Sequence, residues 1–327
     1  MRILVTGGAG YVGSHCVRTL LHAGHEVVVF DNLRQGHKAA VPPGLLVEGE
    51  LTDQARLMTV LAERKIDAVM HFAALALVGE SVEKPQLYYR NNVFGSLCLL
   101  EAMRETGVRK IVFSSTTATY GTPAVMPIAE TTPQQPINPY GFSKLVVERM
   151  LDDYATAHGF GFAALRYFNA SGAAADGAIG EDHTPESHLI PIVLQVALGQ
   201  RPAISIFGDD YPTPDGTCIR DYVHVEDLAT AHLAALARLQ AREGIKVNLG
   251  TGKGYSVREV IEACRKVTGH PIPATIAPRR PGDPPELVAD ARLARQLLDW
   301  IPKYTTIESI VESAWRWHRA HPRGYAA

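Results

Sequence analysis

The sequence predicts an α/β fold in which a doubly wound, mostly parallel sheet is followed by a smaller α/β lobe. Three observations lead to this prediction. Short apolar runs alternate with amphipathic stretches in the first half, a glycine-rich turn follows the first run, and the composition changes near residue 170. With 327 residues, 46% of them hydrophobic, the chain can bury a substantial core. We expect a first domain over residues 1–169 and a substrate-binding domain over 170–327.

The regular elements of the first half follow from the spacing of the apolar residues. Strands are expected at residues 3–6, 26–31, 68–72, 110–115 and 162–167, and helices at 14–23, 53–64, 87–106 and 139–158. Beyond residue 170, loops rich in Gly, Ala, Pro and Asp separate shorter elements. A strand at 246–249 and a helix at 257–268 are expected inside the second lobe.

Composition and charge exclude several classes of protein. A net charge of -2 gives no general attraction to nucleic acid or to an anionic membrane. The four cysteines form no C-x-x-C pair, which argues against a disulfide framework or a zinc knuckle. No apolar run is long enough to span a bilayer, and the chain begins directly on a predicted strand. We therefore expect a cytoplasmic protein.

The glycine-rich turn predicts a dinucleotide site of the Rossmann type. Gly7, Gly10 and Gly13 follow the first predicted strand and open the first predicted helix. Glycine lets the backbone approach a pyrophosphate closely, while the free amides and the positive end of the helix face the anion. The spacing is G-x-x-G-x-x-G rather than G-x-G-x-x-G, so the context matters more than the pattern.

Asp31 indicates which dinucleotide binds. It ends the second predicted strand, eighteen residues after Gly13, where a carboxylate can accept hydrogen bonds from a ribose. A carboxylate there repels a 2′-phosphate, which favours NAD over NADP. Arg34 leaves an alternative open, because a basic side chain could accommodate that phosphate. We favour the interpretation of Arg34 as a solvated loop residue.

Tyr140 and Lys144 are the predicted acid–base pair. Lys144 is the only lysine that lies four residues after a tyrosine, and Pro139 could begin the helix that carries both on one face. An ammonium group near a phenol favours the phenolate, so Tyr140 could act as a base near neutral pH. Thr116 ends the strand at 110–115 and could hold a substrate oxygen, although threonine at such a place is often only a cap.

The chain resembles the UDP-glucose 4-epimerase family, which belongs to the extended short-chain dehydrogenase/reductase superfamily. The resemblance covers essentially the whole length. The segments that carry it are residues 6–14, 31–32, 71–74, 78–81, 91–92, 114–121, 140–144, 165–169, 207–212, 220–224 and 279–283.

The resemblance implies tightly held NAD and a redox-neutral inversion at carbon 4 of a UDP-hexose, through a transient 4-keto sugar. Tyr140 would take the proton of the 4-hydroxyl, Thr116 would hydrogen-bond that oxygen, and Lys144 would tune the tyrosine. The implied cofactor-binding residues are Gly7, Gly10, Tyr11, Val12, Gly13, Asp31, Asn32, Glu50, Leu51, Phe72, Ala73, Ala74, Asn91, Ser114, Tyr140, Lys144 and Tyr167. The implied substrate-binding residues are Thr116, Tyr140, Asn169, His188, Leu189, Phe207, Arg220, Arg280, Asp283 and Leu287.

Several positions depart from the family pattern. In the segment 49–51 many members have an aspartate that contacts adenine; Glu50 keeps that charge but reaches further. Ala76 stands where many members have a lysine that contributes to cofactor binding. His188 replaces an asparagine, so its contact with substrate is left open. Leu287 lies where side-chain size separates hexose enzymes from those that accept N-acetylated sugars. Leucine is neither the bulky nor the small residue found there, so acceptance of N-acetylated sugars stays open.

Other interpretations were weighed against this one. Inversion of another UDP-sugar remains open, whereas a dehydratase is disfavoured because Thr117 and Ala118 replace the acidic pair that follows the threonine in such enzymes. A non-catalytic NAD-sensing protein is disfavoured by the complete set of Tyr140, Lys144 and Thr116. The resemblance further implies a homodimer through helices around residues 92–106 and 143–158. No metal is expected: His183 and His188 suggest a metal site only superficially, since Pro185 interrupts any helix between them.

Overall fold

The computed structural model describes residues 1–280 and 282–325. The strands are β1 Arg2–Thr6, β2 Glu26–Asp31, β3 Leu46–Glu48, β4 Ala68–His71, β5 Lys110–Thr116, β6 Gly161–Tyr167, β7 Asn169–Ser171, β8 Ile204–Phe207, β9 Ile219–His224, β10 Gly244–Leu249, β11 Gly254–Ser256, β12 Ala274–Ala277 and β13 Glu286–Leu287. The helices are α1 Tyr11–His22, α2 Gln54–Glu63, α3 Val78–Glu83, α4 Pro85–Tyr88, α5 Gly95–Thr106, α6 Pro139–His158, α7 Leu189–Ala197, α8 Val225–Arg238, α9 Val257–Thr268, α10 Arg292–Leu298 and α11 Ile307–Ala320.

The main sheet is parallel throughout and has seven strands, in the order β10-β6-β5-β4-β1-β2-β3. Its strands carry apolar side chains on both faces: Ile3 and Val5 join one buried cluster, and Leu4 joins the other. Helices α1 and α8 cover the first face, while α2, α5 and α6 cover the second. The predicted α/β, doubly wound fold is therefore confirmed.

The smaller lobe is built around β9. This strand pairs with β11, β13 and β7, and a separate two-stranded sheet joins β12 to β8. Helices α7, α9 and α11 bury a third apolar cluster against these strands. This lobe therefore has a core of its own, which holds the strands that bear Phe207 and Arg220.

The place of β10 corrects one expectation. The strand was predicted at 246–249 within the second lobe, but the structure pairs it with β6 at the edge of the main sheet. Helix α8, which precedes it, also packs on the main sheet. The chain therefore returns to the first lobe after entering the second. A boundary at residue 169 stays a prediction, and the residues around 225–249 would belong structurally with the first lobe.

Among the described residues, no helix combines the length and hydropathy needed to cross a membrane.

Helix α6 begins and ends where the sequence predicted it. The helix predicted at 87–106 instead divides into α4, a π-helical turn over Tyr89–Phe94, and α5.

Candidate active site

A cleft runs along the edge of the main sheet where its parallel strands end. One cavity of about 410 Å³ lies between this edge and the second lobe, and a smaller cavity adjoins it around the end of β2. Both are lined by Gly7, Gly10 and Phe72. Open parallel sheets bind ligands beyond the carboxyl ends of their strands, so the cleft lies where the fold predicts a site.

The glycine turn brings two stretches of backbone together too closely for side chains. Gly7 has a φ of 73°, and a Cβ there would lie 2.5 Å from the backbone nitrogen of Ala73. A Cβ at Gly13 would lie 2.1 Å from the carbonyl oxygen of Gly7. The first amides of a helix have no partner inside the helix, and within the described chain no side chain caps α1 at Gly10. These amides are therefore available to bind a pyrophosphate.

Asp31 lies at the carboxyl end of β2 and is buried. Its Oδ2 accepts a hydrogen bond from the amide of Ala9 at 2.9 Å, and its Oδ1 accepts one from Leu33 at 2.8 Å. Burial raises the pKa of Asp31, while these amides oppose the shift. Each oxygen keeps a further lone pair toward the smaller cavity, where it could accept a ribose hydroxyl. Other predicted cofactor residues line this cavity: Asn32, Leu51, Phe72, Ala73, Ala74 and Asn91.

Arg34 and Glu50 form a weak pair at the rim. Asn32 donates to Glu50 Oε2 at 3.0 Å, and the Arg34 guanidinium lies 3.9 Å from Glu50 Oε1. Both charged side chains are about half exposed. Arg34 also lines the smaller cavity beside Asp31, so the preference for a solvated loop residue stays a prediction. Glu50 itself is absent from the described lining of the smaller cavity, whereas Leu51 is present.

Helix α6 presents Tyr140 and Lys144 to the larger cavity. Pro139 occupies its first turn, and the Asn138 side chain caps it by accepting from the amide of Gly141 at 2.8 Å. Lys144 is buried, and its Nζ donates to the carbonyl of Ser114 at 2.8 Å. One turn of helix therefore places the phenol and the ammonium against the end of β5.

Burial shifts both groups toward their neutral forms. Burial lowers the pKa of Lys144 to about 7, although Glu148 opposes the shift. Burial also raises the pKa of the Tyr140 phenol, and an interaction with the Thr116 hydroxyl opposes this. A positive charge brought into the cavity would favour the phenolate. The pair can therefore exchange a proton with a substrate hydroxyl once the cationic ring of a nicotinamide is near.

The end of β5 supplies two further hydroxyls to this cavity. Ser114 is hydrogen-bonded to the Tyr167 hydroxyl at the end of β6. Thr116 Oγ1 accepts from the amide of Ala118 at 3.1 Å, so it also caps a short 3₁₀ turn. Because a hydroxyl accepts and donates at once, that cap leaves the Thr116 proton available to the Tyr140 oxygen or to a substrate oxygen.

A buried ion pair lies beneath the catalytic group, and the sequence analysis did not single it out. Arg166 of β6 donates to both carboxylate oxygens of Glu148 on α6, at 2.9 and 2.6 Å, and both side chains are almost fully buried. Ser115 donates to the same carboxylate, and Arg166 also donates to the Tyr120 hydroxyl. The signal in the sequence was an arginine inside an otherwise apolar strand and a glutamate one turn after Lys144.

The second lobe contributes the opposite wall. Arg220 of β9 and Leu287 of β13 are paired in register, and both line the larger cavity with Asn169 and His188. The Arg220 guanidinium lies 3.7 Å from Asp283 Oδ1. This wall therefore offers one cation, paired to a carboxylate, to an anionic ligand.

The remaining predicted substrate residues lie beyond that lining. The Arg280 guanidinium stacks 4.0 Å from the centroid of the Phe207 ring. Leu189 begins α7 and packs partly against the third apolar cluster. Asp283 connects this group to the cavity through Arg220. The structure thus brings the predicted substrate residues together in two neighbouring groups.

The segment 181–188 is not a helix, as Pro185 indicated, yet its loop gathers four possible metal ligands. Atoms of Glu181, His183, Glu186 and His188 lie within 4.8 Å of one another. Sequence reasoning missed this cluster because it tested only helical spacing.

The fold and the lining of the cleft together fit a nicotinamide-dependent enzyme. Comparison with known proteins agrees. The model of the NAD dependent epimerase/dehydratase family matches residues 3–250, and the chain belongs to this family. The predicted NAD cofactor and enzymatic character are thereby confirmed.

Curated and solved relatives are similar over the full chain. A UDP-glucose 4-epimerase of Halalkalibacterium halodurans is 56% identical over 327 residues, covering 100% of this chain and 98% of the relative. A crystal structure of a UDP-glucose 4-epimerase is 52% identical, with a TM-score of 0.97 and complete coverage of both chains. The Brucella ovis UDP-glucose 4-epimerase in complex with NAD is 49% identical, with a TM-score of 0.93 and coverage of 96% and 97%.

Proposed function

We propose that this protein interconverts UDP-galactose and UDP-glucose by inverting carbon 4 of the sugar through a transient 4-keto intermediate. One observation carries the proposal: Tyr140, Lys144 and Thr116 share a single cavity with Arg220 and Leu287 of the second lobe. The first three suit the oxidation of a secondary alcohol. Arg220 suits the diphosphate that holds such a sugar in place.

Proton transfer belongs to Tyr140. Its phenolate takes the proton of the 4-hydroxyl, and the Thr116 hydroxyl steadies the same oxygen. Lys144 favours the phenolate and, fixed by the Ser114 carbonyl, keeps its position through the cycle. In the return step the protonated Tyr140 gives its proton back to the oxygen of the inverted carbon.

NAD, when bound, accepts the hydride of carbon 4 and returns it, so the cycle needs no external oxidant. The amides of Tyr11, Val12 and Gly13 would hold its pyrophosphate, and Asp31 would accept its ribose hydroxyls. A Cβ at Gly7 would collide with the backbone of Phe72 and Ala73, so glycine lets the ends of β1 and β4 pack together at the cofactor cavity. The relative from Brucella ovis, described in complex with NAD, supports this assignment.

Inversion requires the sugar to turn while its nucleotide stays anchored. We assign the anchor to the second lobe, where Arg220 and Arg280 grip the diphosphate and Asn169 contacts the sugar diphosphate. Leu189 and Phe207 enclose the uracil, and Asp283 contacts the uridine ribose. The ketone can then present its opposite face, while the reactive groups on β5 and α6 stay fixed.

The breadth of sugars depends on two side chains of the cavity wall. Leu287 and His188 both line the cavity, and neither matches the family residue that would fix the preference. Among solved relatives, one from Campylobacter jejuni is named a UDP-Glc/GlcNAc 4-epimerase, at 45% identity and a TM-score of 0.85. Inversion of N-acetylated UDP-sugars is therefore the second candidate function.

The direct test is incubation of the purified protein, without added cofactor, with UDP-galactose, UDP-N-acetylgalactosamine and UDP-arabinose separately. We expect UDP-glucose from the first, measured by chromatography, and NAD released on denaturation. If UDP-galactose gives no product but one of the other sugars does, the proposed substrate would be that other sugar. Absence of product from all three would overturn the proposal.

A homodimer is part of the same proposal. Apolar side chains are exposed on the face formed by the π-helical turn, α5 and α6, namely Tyr89, Phe94, Leu97 and Phe142. Burial of this face between two copies would form a bundle of helices. Light scattering should give twice the chain mass, and Phe94→Asp should lower it; a monomeric wild type at micromolar concentration would contradict this.

We also propose a cytoplasmic location. All four cysteines are buried free thiols, which fits a reducing compartment. Fractionation of the source cells, with detection of the protein by antibody, would test this location.

A further inference from the structure

The loop between β7 and α7 carries a compact cluster of two carboxylates and two imidazoles. The side chains of Glu181 and Glu186 are almost fully buried, His183 is partly buried, and His188 is half exposed. Glu181, His183 and His188 line the larger cavity beside Tyr11. Two buried carboxylates so close together need positive charge, which the cluster must obtain from a bound cation or from protonated histidines.

We propose that Glu181, His183, Glu186 and His188 form a binding site for a divalent transition-metal ion, with zinc as the expected occupant. This inference concerns a different part of the chain from the acid–base pair and does not depend on the proposed reaction.

The four groups lie close enough to converge on one ion, since their ligand atoms are all within 4.8 Å of one another. His183 Nδ1 lies 3.4 Å from Glu181 Oε1 and 3.6 Å from Glu186 Oε2. His188 Nδ1 lies 2.9 Å from Glu181 Oε1 and is hydrogen-bonded to Glu186 Oε1 at 3.0 Å, a bond that zinc would replace. Zinc bonds of about 2.1 Å to nitrogen and oxygen place neighbouring tetrahedral ligands about 3.4 Å apart. Small adjustments of the side chains would therefore complete the coordination.

Two of the ligand atoms are enclosed and lack hydrogen-bond partners. Within residues 1–280 and 282–325, neither Glu181 Oε1 nor His183 Nδ1 makes a hydrogen bond. Glu181 Oε1 lies 2.9 Å from His188 Nδ1, but the two groups are not aligned for a hydrogen bond. Buried polar atoms normally find partners, and a metal ion would satisfy both atoms at once.

Glu186 is oriented by its own backbone. Its Oε1 accepts from the amides of Ser187 at 2.7 Å and His188 at 2.8 Å. These bonds leave Oε2, the oxygen nearer to His183, as the atom available for coordination. Second contacts of this kind fix a ligating carboxylate and are typical of metal sites.

The ligand set favours zinc-like ions over magnesium or calcium. Two imidazole nitrogens suit borderline transition ions, whereas Mg²⁺ and Ca²⁺ prefer oxygen ligands. A dication with two carboxylates and two neutral imidazoles leaves no net charge in the buried cluster. The exposed side of His188 gives the ion a route from the cavity.

A bound ion would brace the loop on which the cavity wall depends. Residues 181 to 188 lead directly into α7, and His188 is its N-cap residue. On the same loop, Asp182 Oδ2 accepts from the amide of Tyr325 at 2.9 Å, and His37 bonds the Asp182 carbonyl at 3.0 Å. The ion would therefore fix the conformation of residues 181–188, while the Asp182 bonds hold this loop against the rest of the fold.

The test uses protein made without a polyhistidine tag and purified without chelators. Elemental analysis should find about one transition ion per chain, zinc foremost, and the chelator-treated protein should take up zinc with a Kd below about 1 µM. Its melting temperature should fall on chelation and recover with zinc but not with magnesium or calcium. Glu181→Gln and His183→Gln should each weaken zinc binding at least about 100-fold.

His270→Gln is the matched control, because His270 is exposed and distant from the cluster in sequence. It should keep the full zinc content and affinity of the wild type. The wild-type titration decides the matter even if the ligand variants fail to fold. Wild type with less than about 0.1 ion per chain and no zinc uptake at 10 µM would overturn the proposal. So would folded ligand variants that keep wild-type affinity, since this would locate the zinc elsewhere.

Discussion

The two sides of the cleft are built by different means. The cofactor side is made mostly of backbone: a glycine turn, the amides of the first turn of α1, and one buried aspartate. The substrate side is made of side chains, with Arg220 paired to Asp283 and Arg280 stacked on Phe207. The first depends on local conformation, and the second on strands and loops that are distant in sequence. Substitutions should therefore separate the two sides, with loss of cofactor on one and weaker substrate binding on the other.

Tyr140→Phe should give the largest effect, because the proposed reaction uses the Tyr140 phenol to move the proton of the sugar hydroxyl. Loss of the phenol proton relay should lower kcat by about 100- to 10,000-fold. NAD content, measured on denatured protein, should stay unchanged. Tyr255→Phe is the matched control, because it removes a hydroxyl that bonds the Thr305 carbonyl and does not line the larger cavity as described. Near-normal turnover in Tyr140→Phe would show that another group is the base.

Glu148→Gln should give the largest change in stability. It leaves the Arg166 guanidinium buried without its carboxylate, and breaking such a pair costs about 3–5 kcal/mol. Glu26→Gln breaks the exposed pair with Arg2 and should cost no more than about 1 kcal/mol. Denaturant unfolding measures both values. Equal losses in the two variants would show that the buried pair has no special role beneath the catalytic group.

Gly7→Ala tests the backbone-built side. Gly7 and Gly24 share a left-handed φ, of 73° and 79°, so alanine strains both by about 1–2 kcal/mol. Only at Gly7 would the new Cβ meet other backbone, whereas at Gly24 no atom lies within 4 Å. Gly7→Ala should therefore weaken NAD binding at least about tenfold, while Gly24→Ala keeps it. Equal NAD affinity, measured by titration of the stripped proteins, would contradict a close approach of the ligand at Gly7.

Arg220→Gln tests the side built of side chains. Loss of a charged hydrogen bond of about 1.5–3 kcal/mol should raise KM for the UDP-sugar by about 10- to 100-fold. NAD content should stay at the wild-type level. Arg279→Gln, in the same lobe, removes an exposed arginine that pairs with Asp210 and should change KM little. A fall in NAD content in Arg220→Gln would mean that the two sides are not separate.

Lys144→Met should change how stability depends on pH. Burial lowers the pKa of Lys144 to about 7 in the folded state, against 10.5 for the free side chain. Between these values the unfolded chain binds more protons, so the free energy of unfolding should rise with pH. Lys144→Met should remove that part of the slope in unfolding curves between pH 7 and 9. An unchanged slope would show that Lys144 is not held in a neutralising environment.

The same contrast explains what the sequence could predict. The strands, the glycine turn and α6 follow from local periodicity and capping, and the structure has them close to the expected bounds. The prediction that β10 lies in the second lobe was wrong, because the apolar pattern of a strand does not show which strands it pairs with. The convergence of four side chains on the loop at 181–188 was not predicted, because groups that meet on an irregular loop leave no periodic signal. Long-range contacts such as Arg220 with Asp283 were reached only through resemblance to a family.

The most direct test of the account follows deuterium placed on carbon 4 of UDP-galactose. If the hydride leaves that carbon and returns to it within one closed site, mass spectrometry should find the deuterium retained at carbon 4 of the UDP-glucose product. Tyr140→Phe should slow the conversion without altering that retention. Deuterium lost to solvent during turnover would contradict hydride transfer and return as the route to inversion.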